Sequence, residues 1–357
     1  MRPVIYVNPY LSTEGRIGRM PLREEYALTA RFFFCGLIDR THTLDTGFPY
    51  QVMDPIPSPQ ASTPSFGEIS DAVGRDLVAK AVADGKPLQV LWSGGIDSTL
   101  VLISLLKAAE PAGRTDLLEV VLTIDSVQEY PEFFARFIRG KLRCVPASHP
   151  VFSYLDDDKM IVTGEHGDQL FGSDYLSKYV PTGTAWLPWE DVLHLIVTGK
   201  LGDPRQAERV IDYLRPQIAK APVPIVTLFD LYWWLNFSLK WQHVTFRTVI
   251  YKRTNHRKTY ETLYHFFRDP RFQVWSLSNR DQVIGSDWAS YKQVAKEAIL
   301  EFTGDEDYFA KKTKMVSLQG YSQTTEANWG RMRELIYMCD DFQPRYEVCA
   351  LRDDWEH

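Results

Sequence analysis

Residues 88–99 read Leu-Gln-Val-Leu-Trp-Ser-Gly-Gly-Ile-Asp-Ser-Thr, and this stretch decides the fold class. The apolar run Leu88–Trp92 stops at Ser93-Gly94-Gly95, which is typical of a buried strand. The following Ser98–Ala109 is apolar on nearly all sides, so it predicts a buried helix. A buried strand that leads through a glycine turn into a buried helix indicates an α/β protein with a parallel sheet.

Strand and helix signals alternate on both sides of this stretch. A capping box, Ser65-x-x-Glu68, predicts a helix from roughly Glu68 to Ala83. Further elements are predicted along the chain, namely strands at Leu118–Ile124, Leu142–Val145 and Met160–Thr163 and a helix at Pro131–Lys141. This alternation predicts an α/β fold with a doubly wound, mostly parallel sheet.

The pattern changes at both ends of this core. Arg31–Leu37 carries a weak strand signal, and the proline-rich stretch Asp54–Pro64 predicts a linker. From about Pro181 helical periodicity dominates and clear strand runs disappear, and Lys292–Phe302 and Glu326–Asp340 look helical. We therefore divide the chain into a short N-terminal segment with its linker (1–64), an α/β core (65–180) and a helical C-terminal half of the same unit (181–357).

Composition excludes several classes of protein. Apolar residues make up 45% and charged residues 24%, as in ordinary folded proteins. The net charge of −6 argues against a surface devoted to nucleic acid or membranes. The four cysteines include no C-x-x-C pair, so we expect core or idle thiols. No stretch has the roughly 18 apolar residues of a membrane span, and Met1–Pro9 lacks the pattern of a signal peptide. We therefore expect a soluble cytoplasmic protein that does not bind membranes.

The turn after the first core strand predicts a phosphate site. Ligands of open α/β sheets bind at the carboxyl ends of strands. Gly94 and Gly95 let backbone N–H groups approach an anion there, and the helix N-terminus adds its dipole. The hydroxyls of Ser93 and Ser98 can donate to phosphate oxygens. Asp97 would repel phosphates unless a cation lies between them, which makes Mg²⁺ the natural partner. A tight strand-to-helix turn without a ligand is the alternative.

Ser93-Gly-Gly-Ile-Asp-Ser98 resembles the pyrophosphate loop of the N-type ATP pyrophosphatases, the PP-loop superfamily. These enzymes cleave ATP between the α and β phosphates and adenylate an oxygen atom. They include asparagine, GMP, NAD and argininosuccinate synthetases and tRNA-modifying relatives. The resemblance implies ATP and Mg²⁺ as cofactors, with adenine contacts from the backbone at Leu91 and near Ile124.

A second segment, Ile161–Gly172, is similar to the asparagine synthetase signature, S-G-E-G-x-D-E followed by a hydrophobic pair and a glycine. Gly164, Glu165 and Asp168 stand at matching positions. The match is partial, because a histidine and a glutamine, His166 and Gln169, replace a glycine and a glutamate of the signature.

The residues of this segment also support a site without the resemblance. Met160–Thr163 is predicted to be a neighbouring parallel strand, whose following loop would face the same crevice. Asp168 could then share Mg²⁺ with Asp97, and Glu165 could act as a general base or hold an incoming amine. The alternative is a polar turn in which Asp168 caps a following helix.

A third, weaker similarity concerns lysines near the C-terminus. Tyr291–Lys296 and Lys311–Ser317 resemble a basic helix and a later R-x-K segment of the family, whose lysine contacts the phosphates. The K-x-K register points to Lys314, with Lys312 as the alternative. Charge builds on the leaving pyrophosphate, so the chemistry needs such a cation. A solvated lysine cluster on a surface loop is the competing interpretation.

The resemblance covers roughly residues 65–320 and implies a carbon–nitrogen ligase. The expected reaction is asparagine synthetase-like. A small-molecule carboxylate is adenylated with release of pyrophosphate, and ammonia or another amine then displaces AMP to form an amide. Glutamine-using relatives begin with a catalytic cysteine in a glutaminase domain, whereas Arg2 stands at that position here. We therefore expect no glutaminase domain, and use of free ammonia, another amine or a separate amine-supplying partner.

Two alternatives remain open. Residues 240–271 carry eight Lys and Arg against two acidic residues, a net +6 within a chain of −6, with interleaved aromatics such as Trp241, Phe246 and Tyr251. Such a window can bind nucleic acid, which would suit an enzyme that adenylates a nucleic-acid base. It can equally be a solvated helix face, which we favour. The departures at His166 and Gln169 also allow a catalytically idle nucleotide-binding module.

Overall fold

The computed structural model describes residues 22–148, 150–252 and 256–313, together with the backbone of four two-residue strands outside these ranges. The chain forms two compact units. The helix-rich unit comprises Met1–Ile56, Gly172–Arg257 and Thr325–His357, and the sheet unit comprises Pro57–Phe171 and Lys258–Thr324.

The strands and helices follow one another along the chain with these bounds. The first part contains β1 (Arg16–Ile17), β2 (Met20–Pro21), α1 (Glu24–Phe33), α2 (Phe66–Asp84), β3 (Leu88–Leu91), α3 (Ile96–Ala109), β4 (Leu118–Leu122), α4 (Ile124–Glu129), α5 (Pro131–Phe133), β5 (Arg143–Pro146), β6 (Met160–Thr163) and α6 (Gly167–Phe171). The second part contains α7 (Trp189–Leu201), α8 (Pro204–Ile218), α9 (Leu228–Leu239), α10 (Trp241–Lys252), α11 (His256–Thr262), β7 (Leu263–His265), α12 (Pro270–Ser278), α13 (Gln293–Thr303), α14 (Glu306–Lys311), β8 (Tyr337–Met338) and β9 (Pro344–Arg345).

A five-stranded parallel sheet, in the order β5-β4-β3-β6-β7, forms the centre of the sheet unit. Leu91 at the end of β3 lies opposite Val121 of β4, and Val90 lies opposite Val162 of β6. The central strands β4 and β6 are buried along their whole length, which explains their continuous apolar sequences. Because β3 and β6 are parallel neighbours, their carboxyl ends lie side by side at one edge. The prediction of an α/β fold with a parallel sheet is confirmed.

Local sequence signals explain the helices that flank β3. The capping box at Ser65 is present, because its side chain accepts from Glu68 N–H and the Glu68 carboxylate accepts from Ser65 N–H. Helices α2 and α3 pack closely, and a Cβ at Gly74 would lie 2.5 Å from the carbonyl oxygen of Ser104. Helix α13 packs against both α2 and α3. The sequence predicted all three helices to within a few residues.

Several predicted elements differ from the structure. The strand predicted at Leu118–Ile124 ends at Leu122, because the side chain of Thr123 caps α4 and accepts from Ser126 N–H. The helix predicted at Pro131–Lys141 is only α5 followed by a π-helical turn, Phe134–Ile138.

Three further predictions concern the ends of the chain and the sheet edge. The strand signal at Arg31–Leu37 is wrong, since α1 runs to Phe33 and ends at Phe34 in a left-handed conformation with φ of 48°. The absence of strands after Pro181 is also wrong, because β7 forms the sheet edge. The helix expected over Glu326–Asp340 is contradicted at Tyr337–Met338, where β8 pairs with β9, and the rest of that range lies outside the described residues.

The helix-rich unit is organised around α9, which is buried on all sides. Its N-terminus is fixed by a capping box between Thr227 and Asp230. Two aromatic residues of the basic window, Trp241 and Phe246, are fully buried in this core. They are therefore packed against neighbouring side chains rather than presented for stacking on bases. Cys35 is also buried, and burial raises the pKa of its thiol to about 11, as expected for an idle cysteine.

None of the described helices is long and apolar enough to cross a membrane.

Candidate functional site

The turn between β3 and α3 combines a left-handed glycine with a helix start that has no side-chain cap. Gly94 has a φ of 76°, which favours glycine, and Gly95 is the N-cap of α3. No side chain caps this helix, so its first N–H groups are left for a ligand. Ser93 N–H donates to Ser98 Oγ at 3.0 Å, and the two hydroxyl oxygens lie 2.9 Å apart. The two predicted phosphate-binding serines therefore lie together across the turn.

The turn after β6 packs directly against the first turn of α3. A Cβ at Gly167 would lie 2.5 Å from the carboxyl group of Asp97, and one at Gly164 would lie 2.9 Å from Ser98 N. A side chain at position 164 would therefore meet the backbone of α3, whereas one at position 167 would displace the Asp97 carboxylate. His166, which replaces a glycine of the signature, is buried and has a φ of 73°, so it keeps the left-handed conformation that glycine favours.

Lys292 joins the two predicted acidic residues. Its ammonium group lies 2.5 Å from Asp97 Oδ2 and 2.7 Å from Asp168 Oδ1, and its side chain is fully buried. Lys292 precedes α13 with a φ of 60°, a left-handed conformation that costs a non-glycine residue about 1–2 kcal/mol. The two ion pairs offset this cost and the cost of burying the charge. An internal cation therefore occupies the position between the carboxylates that the sequence suggested for Mg²⁺.

The donor set around Lys292 nevertheless fits Mg²⁺ that arrives with a nucleotide. Asp97 Oδ1 is buried and makes no hydrogen bond within the described part of the chain. Two carboxylates together with phosphate oxygens are ligands that Mg²⁺ prefers. Among the described residues no group of three or more His, Cys, Asp and Glu side chains is arranged to hold a metal. Asp97 and Asp168 would thus need phosphate oxygens to complete the shell.

A second buried lysine lies beside the glycine turn. Lys312 Nζ is 2.6 Å from Glu129 Oε1, and the two side chains are 10% and 17% exposed. A Cβ at Gly95 would lie 3.6 Å from the same Glu129 oxygen, so this ion pair borders the turn. Lys312, the alternative prediction, is therefore near the proposed phosphate position. Lys314, the first choice, lies outside the described residues.

Lys296, from the same basic segment as Lys292, has a different environment. It donates to the carbonyl oxygens of Ala289 at 2.5 Å and Phe309 at 3.3 Å. Burial lowers the pKa of its ammonium group. Lys296 therefore ties α13 to the segment that leads to Lys312 and contacts neither of the acidic residues at the turn.

Glu165 is backed by a layer of polar side chains. Its side chain is buried, and its backbone N–H donates to Thr163 Oγ1 at 3.3 Å. Thr163 Oγ1 in turn lies 2.7 Å from His265 Nδ1, and the rings of His166 and His265 are 5.0 Å apart. Whether the hydroxyl donates or accepts depends on the tautomer of His265. Glu165 thus has a fixed backbone at the edge where β3 and β6 end.

The two residues expected near adenine differ in exposure. Leu91 is half-buried at the end of β3, and Ile124 is 68% exposed at the start of α4. Trp92, which follows Leu91, is buried, and its indole N–H donates to Thr99 Oγ1 at 3.1 Å. This hydrogen bond joins the start of the turn to the first turn of α3. The adenine contacts stay a prediction.

The sequence analysis assigned no role to three residues of the site. What the sequence offers for recognising them differs from one residue to the next. Lys292 belongs to the quoted segment Tyr291–Lys296, but the sequence did not show which lysine turns inward. Glu129 follows the second core strand closely, as Gly94 follows the first. His265 was missed together with β7, because three residues are too few for a clear strand pattern.

No family model matches the chain, and no curated protein matches it either. The functional argument therefore depends on the residues and their geometry.

Proposed function

We propose that the protein is an ATP-dependent, AMP- and PPi-forming ligase with a PP-loop fold, similar to the synthetase part of asparagine synthetases. One observation carries the proposal. The structure places Asp97 and Asp168, from two separate sequence motifs, on one buried cation at the carboxyl edge of β3 and β6. A doubly wound arrangement of the sheet belongs to the same proposal.

The loop after β3 binds the phosphates of ATP in this proposal. The N–H groups of the uncapped α3 terminus and the hydroxyls of Ser93 and Ser98 face the pyrophosphate part. Mg²⁺ bound between the phosphates, Asp97 and Asp168 would supply charge neutralisation. Leu91 and Ile124 lie at the adenine end of the nucleotide, and Gly164 lies beside the phosphates, next to the first turn of α3.

The first chemical step adenylates a carboxylate. A carboxylate oxygen attacks the α-phosphorus of ATP, the bond from that phosphorus to the bridging oxygen breaks, and pyrophosphate leaves with the electron pair. Negative charge grows on the leaving group, where a fixed ammonium group lowers the energy of the transition state. Lys312 is the described lysine beside the turn and takes this role, for which Lys314 stays the other candidate.

The second step forms the amide. The nitrogen of ammonia or another amine attacks the acyl carbon of the adenylate, and AMP leaves with its oxygen. The attacking nitrogen loses one proton, which the Glu165 carboxylate accepts as a general base. The buried position of Glu165 and its ordered backbone support a fixed base at this edge.

Exchange of labelled pyrophosphate into ATP, measured across a panel of carboxylic acids, tests the proposal. We expect exchange with at least one acid and its loss in Asp97→Asn. Asp116→Asn is the matched control, because Asp116 is an exposed residue whose ion pair within the described ranges is with Arg114. Normal ATP binding without exchange for any acid would refute adenylation of a carboxylate and favour an idle nucleotide-binding module.

A further inference from the structure

Three lysines of the helix-rich unit converge on one aromatic side chain. The ammonium groups of Lys178, Lys200 and Lys240 lie 5.5, 4.9 and 5.8 Å from the centroid of the Tyr175 ring. Three further rings each face one of these lysines, namely Tyr179, Phe32 and Phe33. We call these lysines, with Tyr175 between them, the three-lysine cluster.

The cluster lacks a counter-charge among the residues that the structure describes. In that part of the chain, none of the three ammonium groups forms an ion pair with a carboxylate. Lys200 donates instead to the hydroxyl of Tyr175 at 3.4 Å. Burial, followed by repulsion from Lys240 and Lys178, lowers the pKa of Lys200. The cluster therefore holds like charges close together, which is unfavourable without an anion.

Helix ends hold the three lysines in place. Lys178 is the last residue of the 3₁₀ turn Asp174–Lys178, Lys200 lies in the last turn of α7, and Lys240 is the C-cap of α9. The partial negative charge at a helix C-terminus favours a nearby cation. These helix ends therefore position the ammonium groups without satisfying their charge. Such an arrangement is organised before an anion binds, which reduces the entropy lost on binding.

We propose that the three-lysine cluster binds a phosphoryl group. A phosphoryl dianion offers three terminal oxygens and nearly two negative charges, which suits three converging ammonium donors better than a singly charged carboxylate does. Tyr175 is 38% exposed, so its ring and hydroxyl remain accessible beside the anion. The site uses no residue of the loop after β3, so it stands independently of the proposed ligase activity.

Titration calorimetry of the full chain at constant ionic strength tests this site with two probes. Inorganic phosphate represents the free anion, and phenyl phosphate represents a phosphoryl group on a larger molecule. We expect each of Lys178→Gln, Lys200→Gln and Lys240→Gln to weaken binding roughly tenfold, because each removes one charged hydrogen-bond donor. Lys220→Gln is the matched control, since Lys220 is an exposed lysine of the same unit and should leave affinity unchanged.

Two variants distinguish phosphate binding at the three-lysine cluster from phosphate binding at the loop after β3. Phosphate bound at that loop weakens in Ser98→Ala, whereas phosphate bound at the three-lysine cluster weakens in the lysine variants. Bound phosphate favours the charged form of Lys200, so binding measured as the pH approaches the ordinary lysine pKa of 10.5 should be accompanied by proton uptake that Lys200→Gln reduces. Thermal unfolding of the three lysine variants should show unchanged or higher midpoints, because each substitution removes repulsion.

Each contrary result overturns the site. Absence of binding by both probes at millimolar concentration would do so, as would equal weakening in Lys220→Gln. Loss of the signal in Ser98→Ala would assign the binding to the other unit. Tighter binding of malonate than of phosphate would show that the cluster recognises carboxylates.

Tighter binding of phenyl phosphate than of inorganic phosphate would identify a phosphoryl ester as the ligand, and equal binding would identify the free anion.

Discussion

Lysines in the two compact units meet different counter-charges. In the sheet unit, Lys292 is fully buried against two carboxylates, and Lys312 is 10% exposed against one. In the helix-rich unit, Lys178, Lys200 and Lys240 surround Tyr175, and none of them has a carboxylate partner among the described residues. These two lysines of the sheet unit are therefore paired with carboxylates, whereas the three around Tyr175 are not paired within the described residues.

The difference follows from the cost of desolvation. An ammonium group taken out of water needs an opposite charge at hydrogen-bond distance, whereas an exposed one keeps part of its hydration. The carboxylates of the sheet unit therefore hold Lys292 and Lys312 in position before any substrate binds. An arriving phosphate chain can take over these ammonium groups, since it offers oxygens of the same kind. The three-lysine cluster can accept an anion without displacing any partner.

Lys292→Met should have the largest effect on stability. It removes the cation that both Asp97 and Asp168 contact, and breaking a buried ion pair costs about 3 kcal/mol or more. Asp168 is 32% exposed, so water and protonation should keep the loss near the lower end. Urea unfolding at neutral pH measures this change, and a loss below about 1 kcal/mol would contradict the role assigned to Lys292.

The same variant tests whether Mg²⁺ can bind between Asp97 and Asp168 when the Lys292 ammonium group is absent. If Asp97 and Asp168 are suited to Mg²⁺, millimolar Mg²⁺ should restore part of the stability of Lys292→Met and leave the parent protein nearly unchanged. The control is Lys292→Met combined with Asp168→Asn. It removes the repulsion between the carboxylates, so it should regain stability without Mg²⁺. Absence of a magnesium effect in the single variant would argue against the metal site.

Lys312→Gln should lower stability less than Lys292→Met does, and it should abolish pyrophosphate exchange. The substitution leaves the Glu129 carboxylate largely buried without a charge partner, at a cost of about 1–3 kcal/mol. Adding Glu129→Gln should recover most of that stability, because the second substitution removes the unpaired charge, and exchange should stay absent. Exchange at the parental rate in Lys312→Gln would transfer the catalytic role to Lys314.

The sequence predicted the centre of this fold well because its signals are local. Met160–Thr163 was predicted with the observed bounds, and the capping box at Ser65 located the start of α2. Both depend on a few adjacent residues whose burial or hydrogen bonding is decided nearby. By contrast β7 is three residues long, and only pairing with β6 makes it a strand. Its pattern is too short to distinguish from a loop.

The candidate site likewise contains residues that the sequence predicted and residues that it did not. Asp97 and Asp168 were predicted to lie together, because the parallel order of β3 and β6 follows from the pattern of the core. The partner between them was predicted to be Mg²⁺, whereas Lys292 lies there, about two hundred residues along the chain from Asp97. Lys292 and Lys296 belong to the same basic segment, and of the two it is Lys292 that faces the carboxylates at the sheet edge. This orientation depends on the left-handed φ of Lys292, which the local sequence does not predict.

Lys200→Gln should slightly raise the free energy of unfolding, whereas Lys292→Met and Lys312→Gln lower it. The pKa of Lys200 is lowered in the folded protein, so between that pKa and its ordinary value of 10.5 the unfolded chain binds more protons. The free energy of unfolding should therefore rise with pH through this window. Lys200→Gln should flatten the rise and stabilise the protein at neutral pH by less than about 1 kcal/mol, because solvent screens an exposed charge. A loss of stability at neutral pH would show that Lys200 has a favourable partner.

Lys258→Gln should have the smallest effect and separates pairing from burial. Lys258 forms an ion pair with Asp158, as Lys312 does with Glu129, but the two side chains are 42% and 83% exposed. If pairing alone stabilised the molecule, this substitution would resemble Lys312→Gln. Because an exposed pair gains little over its hydrated charges and is screened by salt, we expect no measurable change in the midpoint of urea unfolding. A shift comparable to that of Lys312→Gln, and its disappearance in 1 M salt, would show that surface pairs also stabilise this unit.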